Sequence, residues 1–252
     1  EGYLADVYFI DGTKLSATDF GEFYNGTTAW RPIQPSGLTY GTNGFYLPFT
    51  QDTPNLGVDY SGNGNDWTEN GSPVQSSDSP TVNVCTLTPL MDTAGGTISN
   101  GNRTYGRGST SAHGTVGASM AIPSTGKWYW EVTASASTNT DYIGVADITQ
   151  SNPQLAGNQA LGYNPGDHAY RSNGQSYIST TLASYGASYT NGDVIGILWN
   201  SDDGELTFYK NNATQGVAAS GIAQEEGRYV PAGSSAETSN TLDFAFAEDE
   251  LT

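Results

Sequence analysis

Two β-strands and the turn between them can be read from Gly192-Asp193-Val194-Ile195-Gly196-Ile197-Leu198-Trp199-Asn200-Ser201-Asp202-Asp203-Gly204-Glu205-Leu206-Thr207-Phe208-Tyr209-Lys210-Asn211. β-branched and aromatic residues crowd both halves, as a pleated, half-buried surface requires. Asp202-Asp203-Gly204 supplies the positive-φ residues that a tight turn between right-twisted strands needs. Val194, Ile197 and Trp199 with Leu206, Phe208 and Lys210 set up the apolar and mixed faces. The second strand runs into Asn211-Asn212, a further turn signal.

The pattern repeats along the C-terminal two thirds. Candidate strands are 127–134, 141–147, 159–163, 167–171, 175–179, 193–200, 205–210, 228–232 and 241–246, short and punctuated by turns. No useful helical period and no internal repeat interrupts them, so the spacing predicts an all-β sandwich. Composition agrees: 32 Gly, 16 Tyr and only 13% charged residues suit a turn-rich β protein. Aromatics at 12% of 252 residues are ample material for a core, which excludes a disordered chain.

Three segments carry a resemblance. Gly126-Lys127-Trp128-Tyr129-Trp130-Glu131-Val132, Asp141-Tyr142-Ile143-Gly144-Val145-Ala146 and the 192–211 hairpin occur in the order expected of a SPRY domain. The resemblance spans roughly Ile98 to Phe246 and implies a concanavalin-like antiparallel β-sandwich of jelly-roll type, used for binding through loops at one edge rather than for catalysis. Asn211-Asn212 departs from the Asn-Gly turn of that family, and the chain ends in Ala247-Glu248-Asp249-Glu250 instead of a Gly-rich close.

The first third is smaller, β-rich and loop-rich. Glu1 to Gly12 reads as one strand with two apolar faces, which predicts burial between layers and addition to a partner sheet. Leu15 to Glu22 reads as a short helical turn capped by Ser16, and Gly44-Phe45-Tyr46-Leu47-Pro48-Phe49 as a strand. Gly71 to Thr81 is the best linker, so the expected domains are 1–80 and 81–252. The words GYLADVYFIDG, DFGEFYNGTTAW, YGTNGFYLPF and LGVDYSGNGNDWT resemble a segment of tailed-bacteriophage virion proteins, where it follows a laminin-G-like sandwich and precedes a SPRY-like domain. Glu1 then resembles the start of that sandwich's last strand, as in a piece of a longer polypeptide.

Charge narrows the partners. With 26 acids against 8 bases the net charge is −18, which disfavours nucleic acid and anionic membrane surfaces. No apolar run reaches transmembrane length, so membrane insertion is not expected. A lone Cys85 in Val82-Asn83-Val84-Cys85-Thr86-Leu87 makes no intrachain disulfide and reads as a buried structural thiol. His113 and His168 read as exposed loop residues, and with one Cys they offer no zinc cluster.

Candidate chemistry lies in three places. Asp59-x-Ser61-x-Asn63-Gly64 copies the opening of an oxygen-rich calcium loop, but the closing position holds Asn70, with Glu69 one residue early. A plain Asx/Gly turn explains the same residues and is favoured; no cofactor is expected beyond this Ca2+ option. Asp202-Asp203 and Glu225-Glu226 sit in turns, and Glu131 has no partner at strand spacing, so the facing carboxylates of a glycanase are not evident. The third place is Tyr163, Asn164, Asp167, Tyr170, Arg171, Asn173, Gln175, Tyr177, Tyr185 and Tyr189. Tyr offers a flat apolar ring with a polar tip, on which sugar rings stack while Asn, Asp and Arg bond hydroxyls. The alternative is that half of these tyrosines line the core or a subunit interface.

Together with the phage resemblance, the expected protein has no catalytic residues. It is an adhesin on the virion surface, in a tail fibre or other appendage, that binds a host-surface glycan. Its partners are then other copies of itself, as a homo-oligomer (a trimer in a fibre), and other virion proteins, with multivalency raising weak affinities. The alternatives are a capsid-decoration or fibre-shaft protein, a capsule-degrading glycanase, and a cellular peptide-binding SPRY adaptor.

Overall fold

The computed structural model describes residues 4–23, 30–50, 55–71, 73, 75, 84–92, 96–107, 113–135, 140–149, 159–246 and 251. The chain divides into two compact units, Glu1–Val84 and Cys85–Thr252.

The first unit has four three-residue strands among its described residues: β1 (Val7–Phe9), β2 (Gly21–Phe23), β3 (Trp30–Pro32) and β4 (Phe45–Leu47). β1 pairs with β4 and β2 with β3, both antiparallel. Ser16 caps a 3-10 turn at Ala17–Asp19, its N–H donating to Asp19 Oδ2 at 2.7 Å. The two-faced burial expected of the opening strand is not found: Phe9 is 49% and Leu4 76% exposed. Among the described residues β1 has a single strand partner, with Tyr8 stacked on Tyr46 at 4.3 Å on one face and the exposed Phe9 on Phe45 at 5.4 Å on the other.

The second unit is the sandwich. Its strands are β5 (Leu87–Thr88), β6 (Thr97–Ser99), β7 (Thr104–Gly106), β8 (Gly114–Ala118), β9 (Lys127–Ala134), β10 (Tyr142–Asp147), β11 (His168–Arg171), β12 (Gln175–Ile178), β13 (Thr181–Ser184), β14 (Val194–Asn200), β15 (Glu205–Lys210), β16 (Ala213–Ala219), β17 (Tyr229–Ser235) and β18 (Thr241–Ala245). They form two seven-stranded sheets, β13-β12-β11-β10-β17-β8-β5 and β16-β15-β14-β9-β18-β7-β6, with every strand pairing antiparallel.

Alternation builds the core. On the β14–β15 hairpin Ile197 lies opposite Phe208 and Trp199 opposite Leu206. These four and Ile195 are fully buried, facing Ile143, Val145 and Tyr170 of the other sheet. Burying each such side chain contributes about 1.5–3 kcal/mol. The period of two puts Val194 on the outer face, where it is half-buried. Gly204, at φ 65°, closes the hairpin turn, and Asn211 and Asn212, at φ 47° and 65°, make the next turn without glycine.

Residues 159–163 do not form the expected strand. They cross the outer face of the first sheet, where Ala160 and Leu161 pack on Ala146, Ala169, Val230 and Ala232. Leu161 N–H donates to Ser234 Oγ and Thr115 Oγ1 to the Gln159 carbonyl, each at 3.0 Å. Gly162, at φ 95°, leaves no room for a side chain, because a β-carbon there would lie 2.4 Å from the Tyr177 carbonyl oxygen. This strap buries Tyr142 and Ala146 on the outer face of β10, while Ile143 and Val145 are buried in the core between the sheets, so every residue of β10 is buried.

Candidate functional site

The tyrosine-rich segment separates into two groups. Tyr170 and Tyr189 belong to the core. The Tyr170 hydroxyl donates to the Ala187 carbonyl, and the Tyr189 hydroxyl lies 3.0 Å from the carbonyl oxygens of Asp141 and Tyr170. Burial pushes the Tyr170 phenol up to about 12. Tyr185 joins the two sheet margins, donating to the Gly216 carbonyl and accepting from Phe208 N–H at 3.2 Å. These three are structural, because strand alternation and the 185–189 crossing turn them inward.

Tyr163 and Tyr177 go the other way. Tyr177 of β12 sits on the outer face and touches Tyr142 of β10, with ring centroids 6.2 Å apart. Tyr163, 49% exposed, meets Tyr177 edge-on at 6.5 Å. The row continues from Tyr142 to His113, also edge-on, at 5.3 Å. Arg171, directly opposite Tyr142 in the β10–β11 pairing, lies over its ring at 5.4 Å. Its Nη1 donates to Gln175 Oε1 at 3.1 Å, and Asn173 Nδ2 donates to the same oxygen at 2.7 Å. Two outward tyrosines, one guanidinium and two side-chain amides therefore lie around the nearly buried Tyr142 ring.

Asn164 and Asp167 serve the scaffold beneath. Asp167 is buried, accepting from Asp147 N–H at 3.0 Å and Asn164 Nδ2 at 3.2 Å. Burial pushes its carboxyl up to about 6 against the pull of those bonds. Asp147 is held below the ordinary range: burial opposes this, but the hydrogen bonds from Thr149 and Arg228 outweigh it.

Two further basic residues are Arg107 and His113, of which His113 borders the patch at the Tyr142 ring. Arg107 follows β7 and is 5% exposed; its Nη1 donates to the Ala236 carbonyl, and its Nε has no partner. Among the described residues no carboxylate pairs with it. His113, ahead of β8, is half-buried with an unpartnered Nδ1. Burial, then the positive charges of Arg107 and Arg171, hold its pKa below the ordinary value. Arg107, His113, Tyr142 and Arg171 come from four separate strands or strand ends, so no local spacing announces them.

The other histidine also departs from expectation. His168 opens β11 and is buried among Trp199 and Tyr229, at 6.2 and 6.1 Å. Burial lowers its pKa to about 4. It shares the inward parity of Tyr170, which a turn reading of Asp167-His168 misses. Cys85 is half-buried and lies outside any strand.

The calcium-like loop is filled by donors. Asp59 Oδ1 accepts from Tyr46 N–H at 2.9 Å and Ser61 N–H at 2.8 Å; Oδ2 accepts from Ser61 Oγ at 2.8 Å and Asn65 N–H at 2.9 Å. Asn63 Nδ2 donates to the Gly41 and Gly44 carbonyls. Asp59, Ser61 and Asn63 thus form a structural Asx lock, and a cation would have to displace these bonds. No group of three or more His, Cys, Asp or Glu converges among the described residues.

The carboxylates weighed for hydrolysis have separate tasks. Asp202 accepts from Gly126 N–H, Asp203 from Asn200, Glu226 from Ser124, and Glu225 pairs with Arg228. Glu131 and Asp243 share the outer face of the second sheet as diagonal neighbours, with Glu131 opposite Ala245 and Asp243 opposite Thr133. Glu131 is 2% exposed and accepts from the Tyr129 hydroxyl at 2.9 Å.

Comparison with known proteins agrees with the sandwich. Residues 127–249 match the family model of the SPRY domain. Among solved structures, the SPRY domain of human HERC1 is 16% identical, with 64% of this chain and 98% of that one covered and a TM-score of 0.51. A human SPRY domain is 19% identical, with coverages of 60% and 94% and a TM-score of 0.50. The PSpry domain of TRIM65 is 18% identical, with coverages of 65% and 90% and a TM-score of 0.50. At these identities the likeness concerns the fold. No curated protein matches the sequence.

Proposed function

From the match of residues 127–249 to the family model of the SPRY domain, we propose that this chain is a non-catalytic recognition module, the glycan-binding part of a surface appendage of a tailed-bacteriophage virion. SPRY domains generally serve as interaction modules, which supports binding over catalysis. The phage setting rests on the wording of the first third of the sequence. The observation that carries the glycan reading is the outward pair Tyr163–Tyr177, packed on the nearly buried Tyr142 and flanked by Arg171, Asn173 and Gln175. Flat ring faces beside amides and a guanidinium suit a ligand with apolar ring faces and equatorial hydroxyls. One such site is weak, and copies held together on a virion would raise its avidity.

The test is capture of purified bacterial capsular and lipopolysaccharide preparations by the immobilised full chain, with periodate-oxidised aliquots as controls. Saturable capture lost on oxidation is expected, and Tyr163→Ala should weaken it about tenfold, or ~1.4 kcal/mol. Capture that survives periodate, or none at all with the chain multimerised, would replace this reading by protein-only contacts within the virion. Release of reducing ends from the bound polymer would favour a hydrolase, with Glu131 and Asp243 as the first pair to substitute.

A further inference from the structure

We propose that Asp167 is a positioning residue for the ligand patch: its buried carboxylate holds the turn that presents Tyr163, and the turn loosens when that carboxylate takes up a proton.

The turn hangs on one side chain. Tyr163 sits between Gly162 and Asn164, and both neighbours reach Asp167. Asn164 Nδ2 donates to Oδ2 at 3.2 Å, and the Gly162 and Asn164 N–H groups also bond the carboxylate. Oδ1 accepts from Asp147 N–H at 3.0 Å, which ties the turn to the end of β10. The Asp167 backbone closes the same loop, its N–H donating to the Asn164 carbonyl at 3.2 Å and its carbonyl accepting from Ser179 N–H at 2.8 Å. On the far side Thr180 N–H, from the β12–β13 hairpin turn, donates to the Gly162 carbonyl at 2.9 Å. Ser179 and Thr180 hold φ of 42° and 74° without glycine, so that support is itself strained. Tyr163 is 49% exposed and touches Tyr177 only edge-on, so its place is set by the turn that carries it.

The partners of this carboxylate are all donors. A carboxylic acid brings an O–H that finds no acceptor among them and must displace one. The longest bond, from Asn164 Nδ2, gives way most easily, and it leads to the residue after Tyr163. Burial raises this carboxyl to about 6 against the pull of its hydrogen bonds. The folded chain is therefore charged here at neutral pH and neutral below about pH 6, and because the unfolded chain takes the proton only near about pH 4, protonation does not unfold the sandwich.

The surrounding groups keep their charge through this range. Asp147 of β10 is held below the ordinary carboxylate range and paired with Arg228, which also binds Glu225. His168 of β11 is lowered to about 4 and Tyr229 of β17 is raised, so both stay neutral. The β12–β13 turn offers only the hydroxyls of Ser179 and Thr180. This inference rests on the glycan reading for its ligand and adds a control to the same site.

The experiment follows the Tyr163 ring of the full chain by NMR from about pH 7.5 to 5, beside capture of the polysaccharide preparations at the same pH values. The Tyr163 signals, assigned with Tyr163→Phe, should shift with one midpoint near 6. Capture should fall about fivefold on acidification, the worth of one hydrogen bond. Asp167→Asn should hold both readouts at their acid values at every pH. Asn164→Ala, which removes the longest bond and leaves the carboxylate in place, should weaken capture at neutral pH and flatten the acid response even if Asp167→Asn fails to fold. Constant Tyr163 signals, a profile unchanged in the variants, or a midpoint shared with the ring signals of His113 or His168 would overturn the proposal. Periodate-sensitive capture that stays constant while Tyr163 shifts would overturn it as well. Absence of capture at every pH is instead the failure of the glycan reading, and the Tyr163 signals then decide the positioning role by themselves.

Discussion

Trp199 and Asp59 are both buried, and they hold their two units together in different ways. Trp199 is one of many apolar side chains between two seven-stranded sheets. Its contribution is the area it hides, spread over many weak contacts. Asp59 sits in a unit whose described strands are three residues long, and one carboxylate there collects four donors from Tyr46, Ser61 and Asn65. That unit also contains an apolar hollow of about 280 Å³ lined by Leu4, Val7, Leu47, Leu56 and Trp67 among others. A large apolar core loses stability in proportion to what is removed, whereas a polar lock loses several bonds at once. The candidate patch around Tyr163 and Tyr177 lies on the first kind of support, on a sheet packed through Tyr170 and Ile143.

Variants at four positions would break or sharpen that contrast. Trp199→Ala should cost most, about 4 kcal/mol, seen in chemical denaturation and in faster amide exchange along β14. A loss below 1 kcal/mol would mean that the core is not the main support of the sandwich.

Acid should reveal a balance inside the same core. His168 has its folded pKa lowered to about 4 by burial. Below its ordinary pKa of about 6.5 the unfolded chain takes the proton first, so its contribution is lost as pH falls from about 6.5 to 4, by about 3 kcal/mol. Asp167 is raised to about 6 by burial, so the folded state takes its proton first and regains about 2 kcal/mol by pH 4. Asp167→Asn should therefore lose about 2 kcal/mol more than the parent between pH 7 and 4, and His168→Leu about 3 kcal/mol less. Parallel stability–pH curves for the parent and both variants would refute the assignment.

Asp59→Ala should cost least, about 2 kcal/mol, as expected for hydrogen bonds to a charged acceptor. The readout is exchange at the Tyr46 and Asn65 amides, and Asp59→Asn should recover part of the loss. Burial raises this carboxyl, but its hydrogen bonds outweigh that and hold it below the ordinary value. The lock should therefore persist on acidification until below about pH 3.8. Earlier opening would show that it is not Asp59 that closes the loop.

Much of the fold is legible along the chain. Strands 127–134 and 205–210 fall where the pattern puts them, and 194–200 is off by one residue. Their turns are written in Asp203-Gly204 and Asn211-Asn212, whose φ angles are positive. β13 and β16 are not legible, because Thr181–Ser184 and Ala213–Ala219 are exposed or half-buried edge strands with little apolar alternation. Nor is the 159–163 strap, whose apolar residues cover a sheet they do not join. Of the tyrosine cluster, sequence shows the crowding but not the sorting.

What the sequence determined by itself is therefore local: the period of two, the turn residues, and the SPRY resemblance over roughly Ile98 to Phe246, of which residues 127–249 match the family model. What only the tertiary structure decided is which face of each strand meets solvent. The strap across the first sheet makes Tyr142 nearly buried, and the inward parity of Tyr170 and Tyr189 takes them out of any binding surface. The same long-range pairing, β10 beside β11 and β17 beside β8, brings Arg171 and His113 to the Tyr142 ring. Alternation sets two faces for every strand, but the layer that packs against each face is chosen by residues far away in sequence, and that choice makes one tyrosine core and the next a candidate ligand contact.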